Sequence, residues 1–278
     1  MQPTQFSRTA FGVAVHRAAH QILDGGAIFR DPFASAILGP GAAQAIAERS
    51  SQQRKPLRLF VAVRSRFAED SLEAAWKRGV RQAVLLGAGL DTFALRNPHT
   101  DLAVFEVDHP ATQAWKRHCL AEAHLEPPQS LSFAPVDFER QTLVDGLCSA
   151  GFDVTNPAFF IWLGVVPYLT LPAIHATLDF VSSVPNAEIV FDYSEPLENY
   201  PPERQARARA LAARVAAAGE PWISHFDPAV LADLLRAKGF SEIEDMGPAL
   251  IAERYLNAAP GATVESVGAH VMRARKLD

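Results

Sequence analysis

The sequence predicts an α/β protein with an open, doubly wound sheet that is mostly parallel and has an antiparallel edge. Helix-like periodicity fills the first 79 residues, and short apolar runs then alternate with helix-like segments. Such alternation produces parallel strands joined by right-handed helical crossovers. We expect one domain over residues 1–278, with a helical extension at residues 1–79 and an α/β core at residues 80–278.

The N-terminal extension shows amphipathic helical patterns that glycines interrupt. Apolar residues recur at helical spacing over residues 9–23, and Asp24-Gly25-Gly26 ends this helix. Further helices are predicted over residues 42–49 and 57–77, and Gly79 ends the second of them.

The core begins with Ala83-Val84-Leu85-Leu86, an apolar run typical of a strand buried on both faces. Later strands are predicted at residues 103–107, 131–136, 158–163 and 188–191, with helices at residues 111–125, 142–150 and 173–184 between them. The remaining pieces are a polar helix at residues 203–218, a strand or loop at 222–226, a helix opened by Asp227-Pro228 and ended by Gly239, and an antiparallel edge pair at 241–245 and 264–273.

Composition excludes several classes of protein. The chain is 49% hydrophobic, and its formal net charge of -5 provides no basic surface for a phosphate backbone, so we expect no nucleic-acid partner. The sequence lacks an apolar run long enough for a membrane helix, and Cys119 and Cys148 lack the spacing of a zinc site or a disulfide framework. We therefore expect a cytoplasmic protein without metal, and its oligomeric state stays open.

A glycine loop follows the first predicted strand, where ligands bind in open α/β sheets. Gly87, Ala88 and Gly89 let the backbone approach a ligand closely. Thr92 replaces the third glycine of a dinucleotide motif, and Asp91 places a carboxylate where a pyrophosphate needs donors. The loop therefore favours a cationic ligand without phosphate, such as S-adenosylmethionine.

Acidic residues follow the next two predicted strands. Asp108 stands where a carboxylate accepts hydrogen bonds from ribose hydroxyls, and Asp137 with Phe138 suits an adenine base. Each residue also has a simpler explanation, because Asp108 and Asp137 could cap the helices that follow them. Their coincidence with the glycine loop predicts an adenosine site.

Several motifs spread along nearly the whole chain are shared with one known family. They are Arg17-Ala-Ala-His-Gln-Ile-Leu-Asp24, Phe29-Arg-Asp-Pro32, Arg64-Ser-Arg-Phe-Ala-Glu-Asp70, Leu86-Gly-Ala-Gly-Leu-Asp-Thr92, Val104-Phe-Glu-Val-Asp-His-Pro110, Pro135-Val-Asp-Phe138 and Trp162-Leu-Gly-Val-Val-Pro-Tyr-Leu169. With these motifs the chain resembles the leucine carboxyl methyltransferase family, in particular its bacterial O-methyltransferases similar to the tetracenomycin type.

The resemblance implies a class I methyltransferase core of the Rossmann-like type, preceded by helices that help to cover the active site. It implies that the glycine loop approaches the methionine part of S-adenosylmethionine, that Asp108 binds the ribose, and that Asp137 with Phe138 binds the adenine. An arginine before the sheet holds the cofactor's carboxylate, with Arg66 as the first candidate and Arg64 as the second. The remaining cofactor-binding candidates are Asp91, His109 and Leu163.

One segment departs from the family pattern. Many relatives carry a glutamate after the fourth strand, where this chain has Leu163-Gly-Val-Val-Pro-Tyr-Leu169. Since no carboxylate can act from that position, part of the cofactor contact set must differ, and we expect a more apolar acceptor environment.

Methyl transfer from a sulfonium requires alignment of the nucleophile and exclusion of water rather than a metal. A carboxylate acceptor is already ionised at neutral pH, whereas a phenol, with a pKa of about 10, benefits from a base. His225 and Tyr193 are the candidates for catalysis, and His20 and Tyr168 are the candidates for substrate contact. Packing or surface roles remain open for these residues.

The leading hypothesis is an S-adenosylmethionine-dependent O-methyltransferase that acts on a small molecule and yields S-adenosylhomocysteine. Its acceptor would be a phenol or carboxylic acid, such as a polyketide-like secondary metabolite. Competing hypotheses are a protein carboxyl methyltransferase, a nicotinamide oxidoreductase, and a non-catalytic regulatory protein that retains cofactor binding.

Overall fold

The structure is a computed structural model that describes residues 8–48, 54–137, 141–217, 221–257 and 268–277. By its contacts the chain divides into two compact units, residues 1–159 and 160–278, which are described separately. The expected single-domain organisation stays a prediction.

The first unit begins with helices and continues into parallel strands. Its helices before the sheet are α1 (Arg8–Leu23), α2 (Ala42–Ala47) and α3 (Lys55–Lys77). They are followed by β1 (Gln82–Leu86), α4 (Phe93–Arg96), β2 (Ala103–Asp108), α5 (Pro110–Glu122), β3 (Leu131–Pro135) and α6 (Leu143–Ser149).

The register of these strands brings three chain segments to one edge of the sheet. β1 and β2 are parallel with Leu86 opposite Val107, and β2 and β3 are parallel with Asp108 opposite Pro135. All residues of β1 are buried, as the sequence predicts for a strand covered on both faces. The glycine loop, Asp108 and Asp137 therefore follow three neighbouring strands at their carboxyl ends.

The division between the units falls within β4 (Ala158–Trp162). The second unit continues with α7 (Leu171–Ser183), β5 (Glu188–Ser194), α8 (Pro202–Ala217), α9 (Pro228–Ala237), β6 (Glu242–Met246), α10 (Pro248–Tyr255) and β7 (Ala269–Arg275). β7 runs antiparallel to both β5 and β6. The strand order β3-β2-β1-β4-β5-β7-β6 confirms the predicted α/β sheet with an antiparallel edge.

One helix differs from the sequence prediction: α10 is absent from it, although Pro248 at its first turn is a typical helix start. Residues 222–226 form a loop, which is one of the two alternatives that the sequence leaves open. Residues 264–267 of the last predicted strand lie outside the described residues. The predicted cap of α9 is confirmed, because the Asp227 carboxylate accepts from the amides of Ala229 and Val230.

Small apolar side chains on α1 allow it to pack closely within the first unit. Ala14 lies in a buried cluster with Leu90, which belongs to the glycine loop, and with Leu120 of α5. Val15, Ala18 and Ala19 pack in a second cluster with Ala34 and Ile46. The position of α1 is thus tied to the glycine loop by apolar burial.

Among the described residues, no helix is both long and apolar enough to cross a membrane. Within the same part of the chain, His, Cys, Asp and Glu side chains do not gather in threes at a possible metal site. Both cysteines are free thiols.

Candidate functional site

The glycine loop turns sharply after β1 with two residues in the left-handed region. Gly87 has φ 68° and Gly89 has φ 48°, and these conformations are strained for any residue that has a side chain. The amides of Gly87 and Ala88 both donate to the carbonyl of Val107, at 2.8 and 3.1 Å. The amide of Gly89 donates to Asp108 Oδ2 at 2.6 Å.

These hydrogen bonds decide which ligand the loop fits. A loop that binds a diphosphate presents free amide groups to it, whereas the amides of Gly87, Ala88 and Gly89 already have acceptors within the protein. A nucleoside ligand without phosphate remains compatible, because Asp108 offers carboxylate oxygens to hydroxyl groups. The loop geometry therefore fits S-adenosylmethionine and does not fit a pyrophosphate.

Asp108 joins the loop to the end of β2 instead of capping α5. Its Oδ1 accepts from the amide of His109 at 2.7 Å, while the cap of α5 is His109 itself, whose Nδ1 accepts from the amide of Ala111 at 3.2 Å. Burial raises the pKa of the Asp108 carboxyl, and its hydrogen bonds from Gly89 and His109 oppose that rise. The capping explanation for Asp108 is therefore wrong.

Asp137 follows β3 and is half-buried next to the same edge. The amide of Val136 donates to the carbonyl of Asp108 at 2.9 Å, which joins the ends of β2 and β3. Thr142 caps α6 by accepting from the amide of Asp145, so Asp137 is not a helix cap either. Phe138 lies outside the described residues.

Asp91 forms a partly buried ion pair with an arginine for which the sequence predicts no role. Arg17 on α1 donates to Asp91 Oδ2 at 2.7 Å and to the carbonyl of Leu90 at 2.5 Å. Burial acts to raise the pKa of Asp91, but the charges of Arg17 and Arg96 outweigh it and lower that pKa. Since Arg17 compensates this charge, the case against a pyrophosphate rests on the occupied amides more than on Asp91.

The same network connects other parts of the family motifs. Thr92 donates to Asp31 Oδ2 at 2.7 Å, and Arg96 donates to both carboxylate oxygens of Glu69 at 2.8 and 2.7 Å. The Asp31 carboxylate also lies 3.4 Å from Arg17 Nε. The motifs outside the sheet thus fasten the N-terminal helices to the loop, a role that spacing along the chain does not reveal.

The start of α1 lies directly on the glycine loop. A Cβ atom added to Gly89 would come within 3.0 Å of the Cβ of Ala10. Glycine at this position therefore permits close contact with α1, and α1 covers the loop within the first unit.

Arg64 and Arg66 project from different faces of α3. Arg64 is buried, with its guanidinium carbon 5.9 Å from the centre of the Phe60 ring. The side chain of Arg66 is 51% exposed and pairs with Asp70 at 2.7 Å. Arg66 also lines a groove of about 360 Å³ that contains none of the glycine-loop residues. Of the two candidates, Arg64 is thus the buried one and Arg66 the exposed one, and the role of Arg64 as the cofactor arginine stays a prediction.

The structure places His20 differently from the expected substrate contact. His20 is fully buried, its Nδ1 lies 3.0 Å from Asp24 Oδ2, and its Nε2 accepts from the amides of Ile28 and Phe29 at 3.3 Å. Arg58 pairs with the same Asp24 carboxylate at 2.7 Å. With both ring nitrogens engaged, His20 organises the loop after α1.

In the second unit, Leu163 and Tyr168 lie in the segment that follows β4. The amide of Gly164 donates to Asp192 Oδ1 on β5 at 2.5 Å, so a carboxylate from another strand holds this turn. Tyr168 ends a short 3-10 helix, Val166–Tyr168, and is half-buried.

Residues 222–226, named the strap here, connect the segments that follow β4 and β5. The amide of Ile223 donates to the carbonyl of Pro167 at 2.7 Å, and the amide of Phe226 donates to the carbonyl of Ser194 at 3.0 Å. His225 Nδ1 lies 2.9 Å from Ser194 Oγ. Burial lowers the pKa of His225, so its imidazole is neutral at pH 7.

Tyr193 belongs to a buried cluster within the second unit. Its hydroxyl donates to Asp245 Oδ2 at 2.9 Å, and its ring stacks on His270 at 4.9 Å. His270 in turn lies between Asp245 and Glu195, at 3.0 and 2.8 Å. Burial and the Asp245 charge raise the pKa of Tyr193, so a role as a proton acceptor is disfavoured.

Comparison with known proteins shows the family of the chain. The sequence profile of the leucine carboxyl methyltransferase family matches residues 10–182. The chain belongs to this family. This confirms the family that the sequence motifs indicate and the expected cofactor, S-adenosylmethionine.

Similar proteins in other bacteria are named as methyltransferases. The chain is 36% identical over 189 residues to YktD of Bacillus subtilis, which is named as an S-adenosyl-L-methionine-dependent methyltransferase, covering 66% of this chain and 62% of that protein. It is 30% identical over 287 residues to a protein of Mycobacterium tuberculosis that is named in the same way, covering 93% of this chain and 90% of that protein. The chain thus spans less than two thirds of the Bacillus relative.

The fold is also found in a solved methyltransferase structure. Magnesium protoporphyrin IX methyltransferase from Synechocystis, determined with bound S-adenosylhomocysteine, superposes with a TM-score of 0.52 at 10% identity, covering 95% of this chain and 99% of that one. At this identity the likeness concerns the fold alone, and it confirms the predicted class I methyltransferase core.

Proposed function

We propose that this family member is an O-methyltransferase that methylates a small-molecule phenol or carboxylic acid. The observation that carries the proposal is His225, a neutral and half-buried imidazole on the strap, tied to the residue that ends β5. A neutral imidazole can accept the proton of a hydroxyl group at physiological pH.

On the cofactor side, the residues of the first unit supply complementary groups. Asp108 accepts from the ribose hydroxyls, Asp137 accepts from the adenine amino group, and Arg64 pairs with the cofactor's carboxylate. The backbone of residues 87–89 lies along the methionine part, and His109 completes the contacts from the first unit. When bound, S-adenosylmethionine supplies an electrophilic methyl group on a sulfonium sulfur.

On the acceptor side, His225 takes the hydroxyl proton and Tyr168 contributes to binding the substrate. A carboxylic acid acceptor is already ionised and would not require His225. We also propose that the protein is cytoplasmic, acts in secondary metabolism and has no nucleic-acid partner.

The test is methyl incorporation from labelled S-adenosylmethionine into a panel of phenols and carboxylic acids. A peptide with a free leucine carboxyl terminus serves as the comparison acceptor. We expect methylation of at least one small molecule. We also expect that His225→Gln abolishes the methylation of phenols. Methylation of the peptide alone would indicate a protein carboxyl methyltransferase.

Binding measurements distinguish a methyltransferase from an oxidoreductase and from a regulatory protein. Calorimetry should show heat of binding with S-adenosylhomocysteine and none with NAD(P). Binding of S-adenosylhomocysteine without methylation of any acceptor would indicate a regulatory protein. Protection from thermal unfolding by NAD(P) alone would indicate an oxidoreductase.

A further inference from the structure

The hydrogen bonds of His20 fix the position of its ring hydrogen. Nε2 of the ring accepts from the amides of Ile28 and Phe29, each at 3.3 Å. Because a backbone amide can only donate, Nε2 carries a lone pair and no hydrogen, which excludes the imidazolium and the Nε2-protonated tautomer. The single ring hydrogen is therefore on Nδ1, and it is donated to Asp24 Oδ2, 3.0 Å away.

The next residue of α1 binds the same stretch of backbone, residues 28–31, called the connecting segment here. Gln21 Nε2 donates to the carbonyl of Phe29 at 3.0 Å, and Gln21 Oε1 accepts from the amide of Asp31 at 3.0 Å. Buried backbone groups outside helices and strands need such partners from side chains. His20 and Gln21 together hold four backbone groups of the connecting segment against the end of α1.

The connecting segment carries the Asp31 carboxylate to the glycine loop. The Asp31 side chain is fully buried, and its Oδ2 accepts from the hydroxyl of Thr92 at 2.7 Å. Arg17 Nε lies 3.4 Å from the same oxygen, and the Arg17 guanidinium also donates to Asp91. Hydrogen bonds and peptide bonds within the first unit thus connect the His20 ring to the residues that follow the glycine loop.

We propose that His20 is a positioning residue for S-adenosylmethionine. As the neutral imidazole with hydrogen on Nδ1, it fixes the connecting segment, and Asp31 of that segment then holds the glycine loop in the conformation that receives the cofactor. The proposal rests on the glycine loop as the cofactor site and is independent of the acceptor. A ring with hydrogen on Nε2 would face two amide donors and could not hold the segment.

The tautomer can be measured without any ligand. Two-bond nitrogen–proton correlation spectra of the nitrogen-15-labelled chain distinguish a protonated from an unprotonated ring nitrogen, and the spectrum of His20→Gln identifies the signals of His20. We expect a protonated Nδ1 and an unprotonated Nε2 at pH 8, the reverse of the form that free histidine prefers. A protonated Nε2 in the wild type would overturn the proposal.

Two substitutions of His20 separate the function of Nε2 from that of Nδ1. Glutamine places its terminal amide near the position of Nε2 and can accept from the amides of Ile28 and Phe29. Asparagine reaches only to the position of Nδ1, so it can donate to Asp24 but leaves both amides without an acceptor. By calorimetry at pH 8, His20→Asn should weaken S-adenosylhomocysteine binding about 10-fold, and His20→Gln less than about 3-fold.

Hydrogen exchange provides the structural readout. The amides of Ile28 and Phe29 should exchange faster in His20→Asn than in the wild type, because their acceptor is lost, and His20→Gln should keep most of their protection. Equal exchange in His20→Asn and the wild type would show that the ring does not hold the connecting segment. That result would also overturn the proposal.

Phe152→Leu is the control for a general loss of stability. The Phe152 ring packs edge-on against Phe105 at 5.5 Å, and the neighbouring carbonyl of Asp153 accepts from Gln82, the first residue of β1, at the end opposite the glycine loop. This substitution should lower the free energy of unfolding and leave S-adenosylhomocysteine affinity and the exchange of the connecting segment unchanged.

The affinities separate failure of this role from failure of the proposed function. Equal weakening in Phe152→Leu and His20→Asn, or in His20→Gln and His20→Asn, would indicate a merely structural effect and overturn the positioning role. An unchanged affinity in His20→Asn would overturn this role alone. A folded wild type that binds no S-adenosylhomocysteine would overturn the proposed function and this role with it.

Discussion

Replacing Arg17 by methionine should loosen the attachment of α1 to the glycine loop. The substitution keeps the apolar stem but removes the group that donates to Asp91 and to the carbonyl of Leu90. Breaking a fully buried ion pair costs about 3–5 kcal/mol, mainly because one charge is left uncompensated. Since the Asp91 side chain is 25% exposed, we expect a loss of roughly 2–3 kcal/mol in the free energy of unfolding.

The assay is urea unfolding followed by circular dichroism, combined with calorimetry of S-adenosylhomocysteine binding. Affinity should fall together with stability, because α1 covers the loop through Ala10. Removing the unpaired charge by Asp91→Asn in the same chain should recover about 1 kcal/mol or more of the loss caused by Arg17→Met.

Arg66→Met is the matched control, since Arg66 forms an exposed pair within α3. It should change the free energy of unfolding by less than about 0.5 kcal/mol. Equal effects of the two arginine substitutions, or strict additivity of Arg17→Met and Asp91→Asn, would refute the reasoning.

Three further predictions concern the two units. Arg64→Met should weaken S-adenosylhomocysteine binding about 30-fold and leave 5′-methylthioadenosine binding unchanged, whereas Arg66→Met should affect neither ligand by calorimetry. Asp108→Asn should weaken both ligands about 10- to 100-fold by the same method, and an unchanged affinity would exclude ribose binding by Asp108. Burial lowers the pKa of His270, but hydrogen bonds and charges of Asp245 and Glu195 outweigh it, so the folded-state pKa is raised. The protonated His270 therefore stabilises the folded state fully below the unfolded pKa of about 6.5, and this contribution is lost as pH rises through the folded pKa. The difference in the free energy of unfolding between wild type and His270→Gln should shrink between pH 5.5 and 8.5. A constant difference would contradict this prediction.

The sequence predicted the sheet because its signals are local. The apolar run that became β1 is buried along its whole length, and the cap at Asp227 forms as expected. The order of strand, glycine loop and acidic residue also fixed the position of Asp108 and Asp137, since parallel strands end at a common edge. Only α10 escaped prediction among the longer elements of the described chain.

The choice between Arg64 and Arg66 required the tertiary structure. The two positions lie about 200° apart around a helix, so only the packing of α3 decides which guanidinium is buried. From the sequence, His20 is expected in a pocket. In the structure, amides of the loop after α1 donate to its ring instead.

What the sequence alone determined was the fold class, the cofactor and the order of the motifs, because each depends on residues close together along the chain. Only the tertiary structure paired Arg17 with Asp91, 74 residues away, and Ser194 with His225, 31 residues away. Such pairs arise when separate elements pack together and buried polar groups must find partners. No local pattern records which distant group meets that requirement.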